Sequence, residues 1–293
     1  HVPDAALPPA VAILNPKRSD NRYPYTDLSG CGVGFKFMQA FAQSNGIEFN
    51  KLQPLLDLCV VSIASDIVPV MGENRVLAYH GLRCLNANPS IGLRAIVEVC
   101  GLSDRELTMN DIIFKIGPHI NASGRMQNGK EAVELLVERD LPTALERAGQ
   151  INLYNEARKD LDKQTTEQAV EQVSRLPHLD ERRSIVIYNE DWHKGVIGIV
   201  ASRLTEQYYR PAVVLTRSEG MATGSARSVS GFDVYKAVQS CSDLLENFGG
   251  HTYAAGLTLP VEHIPAFAER FEQYVTDHIL DEQTQASLDI DGV

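Results

Sequence analysis

From Ile151 to Leu176 the chain contains neither glycine nor proline, and Glu, Lys, Arg and Gln alternate with sparse apolar positions. A run with no internal breaker and so little apolar surface reads as a long, largely solvated helix, ended by Pro177. A helix of that kind cannot sit inside a single core, so the cores must lie on either side of it. We therefore expect an α/β domain over residues 1–150, a connector helix over 151–177, a second, smaller α/β domain over 183–280, and a polar, acidic tail over 281–293.

Local patterns fill in these domains. In the first, the apolar run Ala10 to Leu14 reads as a strand closed by Asn15-Pro16, and Gly30 to Ser44 has helical spacing. Periodicity leaves Leu55 to Ile63 open between a helix end and a buried strand. Helices are expected at Gly72 to Asn86, Ile91 to Cys100, Met109 to Gly117 and Lys130 to Leu136. In the second domain, Ser184 to Tyr188 and Ala212 to Leu215 are rich in β-branched residues and flank a helical Gly198 to Tyr208, a strand–helix–strand order. A helix over Phe232 to Leu245 would enter a Gly-Gly-His turn, followed by a strand at Gly256 to Pro260 and a closing helix at Ile264 to Ile279.

Composition narrows the function classes. The 293 residues carry a net charge of −11, which argues against a generic basic nucleic-acid coat protein but not against an enzyme with a local basic groove. The most apolar runs, Leu58 to Ala64 and Val196 to Ala201, fall far short of the roughly 20 residues of a membrane-spanning helix, so no membrane role is expected. The five scattered cysteines include no Cys-x-x-Cys, which fits buried, reduced thiols in a cytoplasmic protein.

Several short motifs could carry chemistry. Asp66, in Ser65-Asp66-Ile67-Val68-Pro69, follows an apolar segment, a placement that suits a metal ligand. Taken alone, a helix cap or turn aspartate is the plainer reading. Arg125 follows a small, glycine-containing turn and precedes a helical segment, where a guanidinium and helix-start amides would meet a phosphate; a surface arginine is the bland alternative. His193, in Trp192-His193-Lys194-Gly195, lies on a turn leading into a helix, beside a tryptophan that could simply close the core. Gly224-Ser225-Ala226-Arg227-Ser228 offers hydroxyls and a guanidinium among small residues, or a plain polar turn. Gly249-Gly250-His251 would deliver an imidazole on a tight turn open to close backbone approach. The recurrence of glycine-bearing segments presenting His, Arg or Ser favours a phosphate-handling cleft.

Taken together, these segments resemble the DHH phosphoesterase family, and within it the exonucleases specific for single-stranded DNA. The likeness covers nearly the whole chain: His-Val-Pro-Asp at 1–4, Leu-Pro-Pro-Ala at 7–10, Asn-Pro-Lys-Arg at 15–18, Ala-Ser-Asp-Ile-Val-Pro at 64–69, Gly-Glu-Asn-Arg at 72–75, Ile-Gly-Pro-His-Ile-Asn-Ala-Ser-Gly-Arg-Met at 116–126, Trp-His-Lys-Gly-Val-Ile-Gly-Ile-Val-Ala-Ser-Arg at 192–203, Gly-Ser-Ala-Arg-Ser at 224–228 and Gly-Gly-His at 249–251. The resemblance implies a truncated parallel-sheet DHH domain, with residues 183–280 as the associated DHHA1 substrate-binding domain. It implies a phosphodiesterase with two metal ions, Mn²⁺ or Mg²⁺, degrading single-stranded DNA from the 5′ end in DNA repair and recombination. Asp66 matches a metal-binding aspartate and His1 a histidine, the second, of the Asp-His-His motif. Arg125, Ser225, Arg227 and His251, with Gly249 and Gly250, match positions that hold the substrate's phosphates, and His193 matches the Trp-His-x-Gly motif.

The chain departs from the family pattern at its start, which falls inside the Asp-His-His motif, so most metal ligands are missing. The usual C-terminal OB-type domain is missing as well. From this we expect that the chain alone lacks nuclease activity, and that a truncated sheet edge promotes dimerisation or rearrangement of residues 1–70. Two other readings stay open: a sister phosphodiesterase acting on short oligonucleotides or cyclic dinucleotides, and a non-catalytic nucleic-acid-binding protein.

Overall fold

The computed structural model describes residues 7–286 and 290. The chain divides into two compact units, His1–Glu156 and Ala157–Val293. The boundary falls inside one continuous helix.

Among its described residues the first unit is helical. Helix α1 (Gly30–Ser44) starts where the Ser29 hydroxyl accepts from the Gly32 amide. Helices α2 (Leu56–Ser65), α3 (Gly72–Ala87) and α4 (Ile91–Val99) follow. A short α5 (Met109–Asp111), started by a Thr108–Asp111 capping box, runs through a π-helical turn, Ile112–Ile116, into α6 (Gly117–Met126). The wider turn precedes Pro118, which has no amide to donate to the preceding turn. Helix α7 (Gly129–Leu136) completes the set. Cys59, Val60, Ile63, Leu93, Ile96, Ile112, Ile116 and Leu135 form the centre of this unit's core.

Two expectations for the first unit need correction, and one open reading is settled. Ala10 to Leu14 is irregular, and Val11 is fully exposed; the run has strand composition but no pairing partner among the described residues. Leu55 to Ile63 resolves as helix. No sheet occurs among the unit's described residues, so its exposed apolar side chains, among them Phe37, Met38 and Phe41 on α1, do not form a strand edge.

The long helix, α8 (Leu141–Ser174), begins ten residues earlier than expected. Asp140 caps it, its carboxylate accepting from the Thr143 amide at 3.0 Å, and Pro142 falls in the first turn, where a missing amide costs nothing.

The second unit is a five-stranded sheet with helices on both faces. Strand β1 (Ile185–Tyr188) leads through α9 (Ile197–Tyr208) to β2 (Ala212–Ser218), which pairs parallel to β1. A two-residue turn at Glu219 and Gly220, both with positive φ, sends the chain back along β3 (Met221–Arg227). Helix α10 (Val234–Gln239) precedes the hairpin of β4 (Asn247–His251) and β5 (Ala254–Leu259), and α11 (Ile264–His278) closes the unit. The strand order is β1-β2-β3-β5-β4, antiparallel except at β1–β2. On one face Val213, Leu215, Ala222, Ala226, Ala255, Leu257 and Leu259 pack with α10 and α11 around Phe267 and Phe271. On the other, Ile185, Ile187, Ala212 and Val214 pack with α9 and with Ala169 and Val173 of α8. Among the described residues no helix is long and apolar enough to cross a membrane.

Here too the elements shift. Gly249-Gly250-His251 and Gly224 to Arg227 lie in strands, not turns, and the expected helix over Phe232 to Leu245 is only the short α10 with a 3₁₀ turn after it. Strand assignment at Gly249 and Gly250 follows from hydrogen bonding to β5 at a sheet edge, where glycine is tolerated.

Candidate functional site

The alternation of β3 decides where its polar residues go. Ala222, Gly224 and Ala226 are buried, whereas Thr223, Ser225 and Arg227 are half-exposed on the opposite face. Register carries that face across the sheet. Ser225 pairs with Gly256, which pairs with Gly249, and Arg227 pairs with Ala254, which pairs with His251. Directly opposed residues share a face. Ser225 and Arg227 therefore stand at one side on β3 and His251 at the other on β4, with Ala254 and Gly256 of β5 between them and Gly249 beside His251, a floor almost without side chains. A Cβ added at Gly249 or Gly256 would meet nothing within 4 Å. Helix α9 packs on this face over β2 and β3, and its Gly198 lies directly against the site, where a Cβ would lie 2.9 Å from Arg227 Nη2 and 3.1 Å from Ser225 Oγ.

The polar groups are oriented. Arg227 Nη1 donates to Ser225 Oγ at 2.7 Å and to the Ala226 carbonyl at 2.8 Å. Because Ser225 Oγ accepts there, its own proton is left to donate. His251 Nδ1 accepts from the Tyr253 amide at 3.3 Å, and His193 Nδ1 accepts from the Gly195 amide at 3.1 Å. Each neutral imidazole therefore carries its proton on Nε2, so both rings are set as Nε2–H donors by their own turns. Gly250 is indispensable for another reason: a Cβ there would lie 2.2 Å from the Ala254 carbonyl oxygen, so no side chain fits between the two strands. A guanidinium, a hydroxyl and an imidazole around a bare floor can accept an extended anionic backbone without steric hindrance.

The first unit's candidates are not brought together in this way. Asp66 ends α2 in extended conformation, exposed, with Oδ1 accepting from the Ile67 amide at 2.8 Å. Gly117, at the start of α6, packs against Ser65 beside it; a Cβ there would come within 2.5 Å of Ser65 Oγ. Arg125 lies in the last turn of α6, not at a helix start. Eight residues at 1.5 Å rise put it roughly 12 Å along the axis from Gly117. Carbonyls rather than amides face outward at that end, which favours the guanidinium itself but supplies no amide donors for an anion. His1 lies outside the described residues. Among those residues, no group of three or more His, Cys, Asp or Glu side chains could hold a metal ion. Asp66 by itself does not fit Mn²⁺ or Mg²⁺, each of which takes about six donors.

Sequence reasoning singled out the glycines of Trp192 to Gly198 but gave Ala254 and Gly256 no place among the site residues. A signal existed in Ala254-Ala255-Gly256-Leu257-Thr258-Leu259, where period-2 alternation puts the larger apolar residues at 257 and 259 on one face and small residues at 254 and 256 on the other.

The chain is similar to known proteins. Residues 182–277 match the DHHA1 domain, so the second unit is a DHHA1 domain. Over its whole length the chain is RecJ-like. It is 37% identical over 307 residues to the single-stranded-DNA-specific exonuclease RecJ of Haemophilus influenzae, covering 100% of this chain and 53% of that protein. It is 36% identical over 285 residues to the Bacillus subtilis RecJ, covering 97% of this chain and 35% of that protein. The crystal structure of RecJ in complex with Mn²⁺ from Thermus thermophilus is similar at TM-score 0.83 and 29% identity, covering 95% of this chain and 40% of that one. The Mg²⁺ complex from the same organism gives TM-score 0.78 and 30% identity, covering 88% and 39%. The chain thus spans about half the length, or less, of the curated relatives it matches.

Proposed function

We propose that the open face of β5 and β4, bordered by Ser225 and Arg227 of β3, grips the sugar-phosphate backbone of single-stranded DNA, within a RecJ-type exonuclease acting from the 5′ end in cytoplasmic DNA repair and recombination. The observation that carries this reading is the shared face itself: Ser225, Arg227 and His251 placed by strand register around Ala254, Gly256 and Gly249. Arg227 supplies the charge, Ser225 and the Nε2–H of His251 supply neutral donors, and Gly250 lets β4 lie flat against β5. His193, donor-set like His251, is assigned to the same substrate, as is Arg125. Hydrolysis would depend on Mn²⁺ or Mg²⁺, with Asp66 and His1 contributing ligands. Because the described residues assemble no set of three ligands, this chain alone is expected to bind single strands without cutting them. The exposed stripe of Phe37, Met38 and Phe41 motivates self-association through the first unit, measurable by sedimentation.

The test is equilibrium binding of oligo(dT) to the 293-residue chain across a salt series. Arg227→Ala should weaken binding roughly tenfold and lower the salt slope by about 1, since one phosphate contact releases about one counterion. Unchanged affinity and slope would exclude this face as the phosphate site.

A further inference from the structure

Beside the phosphate-gripping row stands an aromatic ring to which that row gives no task. Tyr253 is the second residue of the two-residue tip, Thr252-Tyr253, that joins β4 to β5, and it is 53% exposed. An exposed tyrosine on a hairpin tip is ordinary surface by itself. Three observations set this one apart. Its backbone is pinned on both sides: the Val234 amide donates to the Thr252 carbonyl at 3.0 Å, the Ser228 amide to the Tyr253 carbonyl at 3.1 Å, and the Tyr253 amide to His251 Nδ1 at 3.3 Å. The ring is therefore held on a fixed tip, and little main-chain freedom is left to lose on binding. Its neighbour is His251, with ring centroids 6.4 Å apart at 67°, an edge contact that does not cover the tyrosine's face by stacking. And the same hydrogen bond that fixes the tip sets the His251 tautomer, so ring and phosphate donor are placed by one local structure.

We propose that Tyr253 is a base-stacking platform: when the phosphodiester of a single strand lies against Arg227, Ser225 and His251, the base of an adjoining nucleotide packs on the Tyr253 ring. This rests on the phosphate-gripping reading above and deepens it. A phosphate row reads only charge and would hold any polyanion. A neighbouring aromatic face demands an unpaired base, because in a duplex the bases are stacked inside the helix. Tyr253 would thus add selectivity for single strands, without sequence preference, since every base presents a π-face.

Binding to the 293-residue chain, by anisotropy of a labelled oligo(dT) and of an abasic strand of equal length, tests this. Tyr253→Ala should weaken oligo(dT) binding roughly tenfold, within the range for loss of one stacked base. Tyr253→Phe should stay within about twofold, because the ring and not the hydroxyl acts. On the abasic strand Tyr253→Ala should change nothing, and the salt slope should match that of the unsubstituted protein on both strands. Equal affinity of Tyr253→Ala for oligo(dT), or an equal loss on the abasic strand, overturns the stacking role while leaving the phosphate row standing. Absence of any single-strand binding by the unsubstituted chain removes both. A thermal melt of Tyr253→Ala matching the parent separates loss of binding from loss of fold.

Discussion

The two faces of the second unit's sheet use the same small residues for opposite purposes. Gly224 lies on the covered face, and a Cβ there would come within 2.5 Å of Leu215 Cδ2 and 3.0 Å of Leu257 Cδ2. It is small because the core leaves no room. Gly256 lies one strand away on the open face, where a Cβ would meet nothing within 4 Å. Folding leaves that space empty, so the absence of a side chain there serves something other than packing. Residue type alone cannot separate these glycines; the face they lie on does.

Substitutions on the two faces should part accordingly. The largest effect belongs to the covered face: Phe271→Ala removes a fully buried ring stacked on Phe267 and should cost about 3–5 kcal/mol in urea unfolding. Gly224→Val overpacks the same core and should cost about 1–3 kcal/mol. A charged pair in the first unit offers a control whose purpose is purely structural. Arg105, then the Thr108 hydroxyl and amide, hold the Asp111 carboxyl well below the usual carboxylate range. A carboxyl depressed in the folded state adds stability above its unfolded pKa, near 4, and loses it as pH falls below that value. Asp111→Asn should therefore cost on the order of 1 kcal/mol at neutral pH, with the gap closing in acid; a pH-independent gap would show that the cap geometry alone matters. The smallest effect on stability belongs to the open face. Gly256→Val should melt within about 0.5 kcal/mol of the parent, yet it should obstruct the floor and depress oligo(dT) affinity. A Gly256→Val protein that binds normally would break the contrast between the faces.

Much of the helical structure was legible in the chain. Gly30 to Ser44 and Ile264 to His278 show their apolar spacing openly, and the Ser29 cap and Pro265 in the first turn mark their starts. The errors have physical causes. Ala10 to Leu14 has the composition of a strand, but a strand is defined by a partner that composition does not reveal. Ser123-Gly124 looks like a turn before Arg125, yet helix α6 passes through it, because one interior glycine costs only about 1 kcal/mol and packing exceeds that. Gly249 and Gly250 look like a turn for the same reason, and pairing with β5 makes them a strand. The motifs therefore named Ser225, Arg227 and His251 without showing how they meet. Their meeting depends on the order β3-β5-β4, a long-range pairing with no local signature.

That strand order also bears on how the sheet is built in time. Strands β2 and β3 close through a two-residue turn, as do β4 and β5, so both hairpins need only short loop closures. The parallel β1–β2 contact must wait for the whole α9 crossover. Formation should therefore begin in the two hairpins, β2–β3 and β4–β5, with β1 joining the sheet last. A refolding chain would then display the bare face of the β4–β5 hairpin early, with the β4 edge beside it.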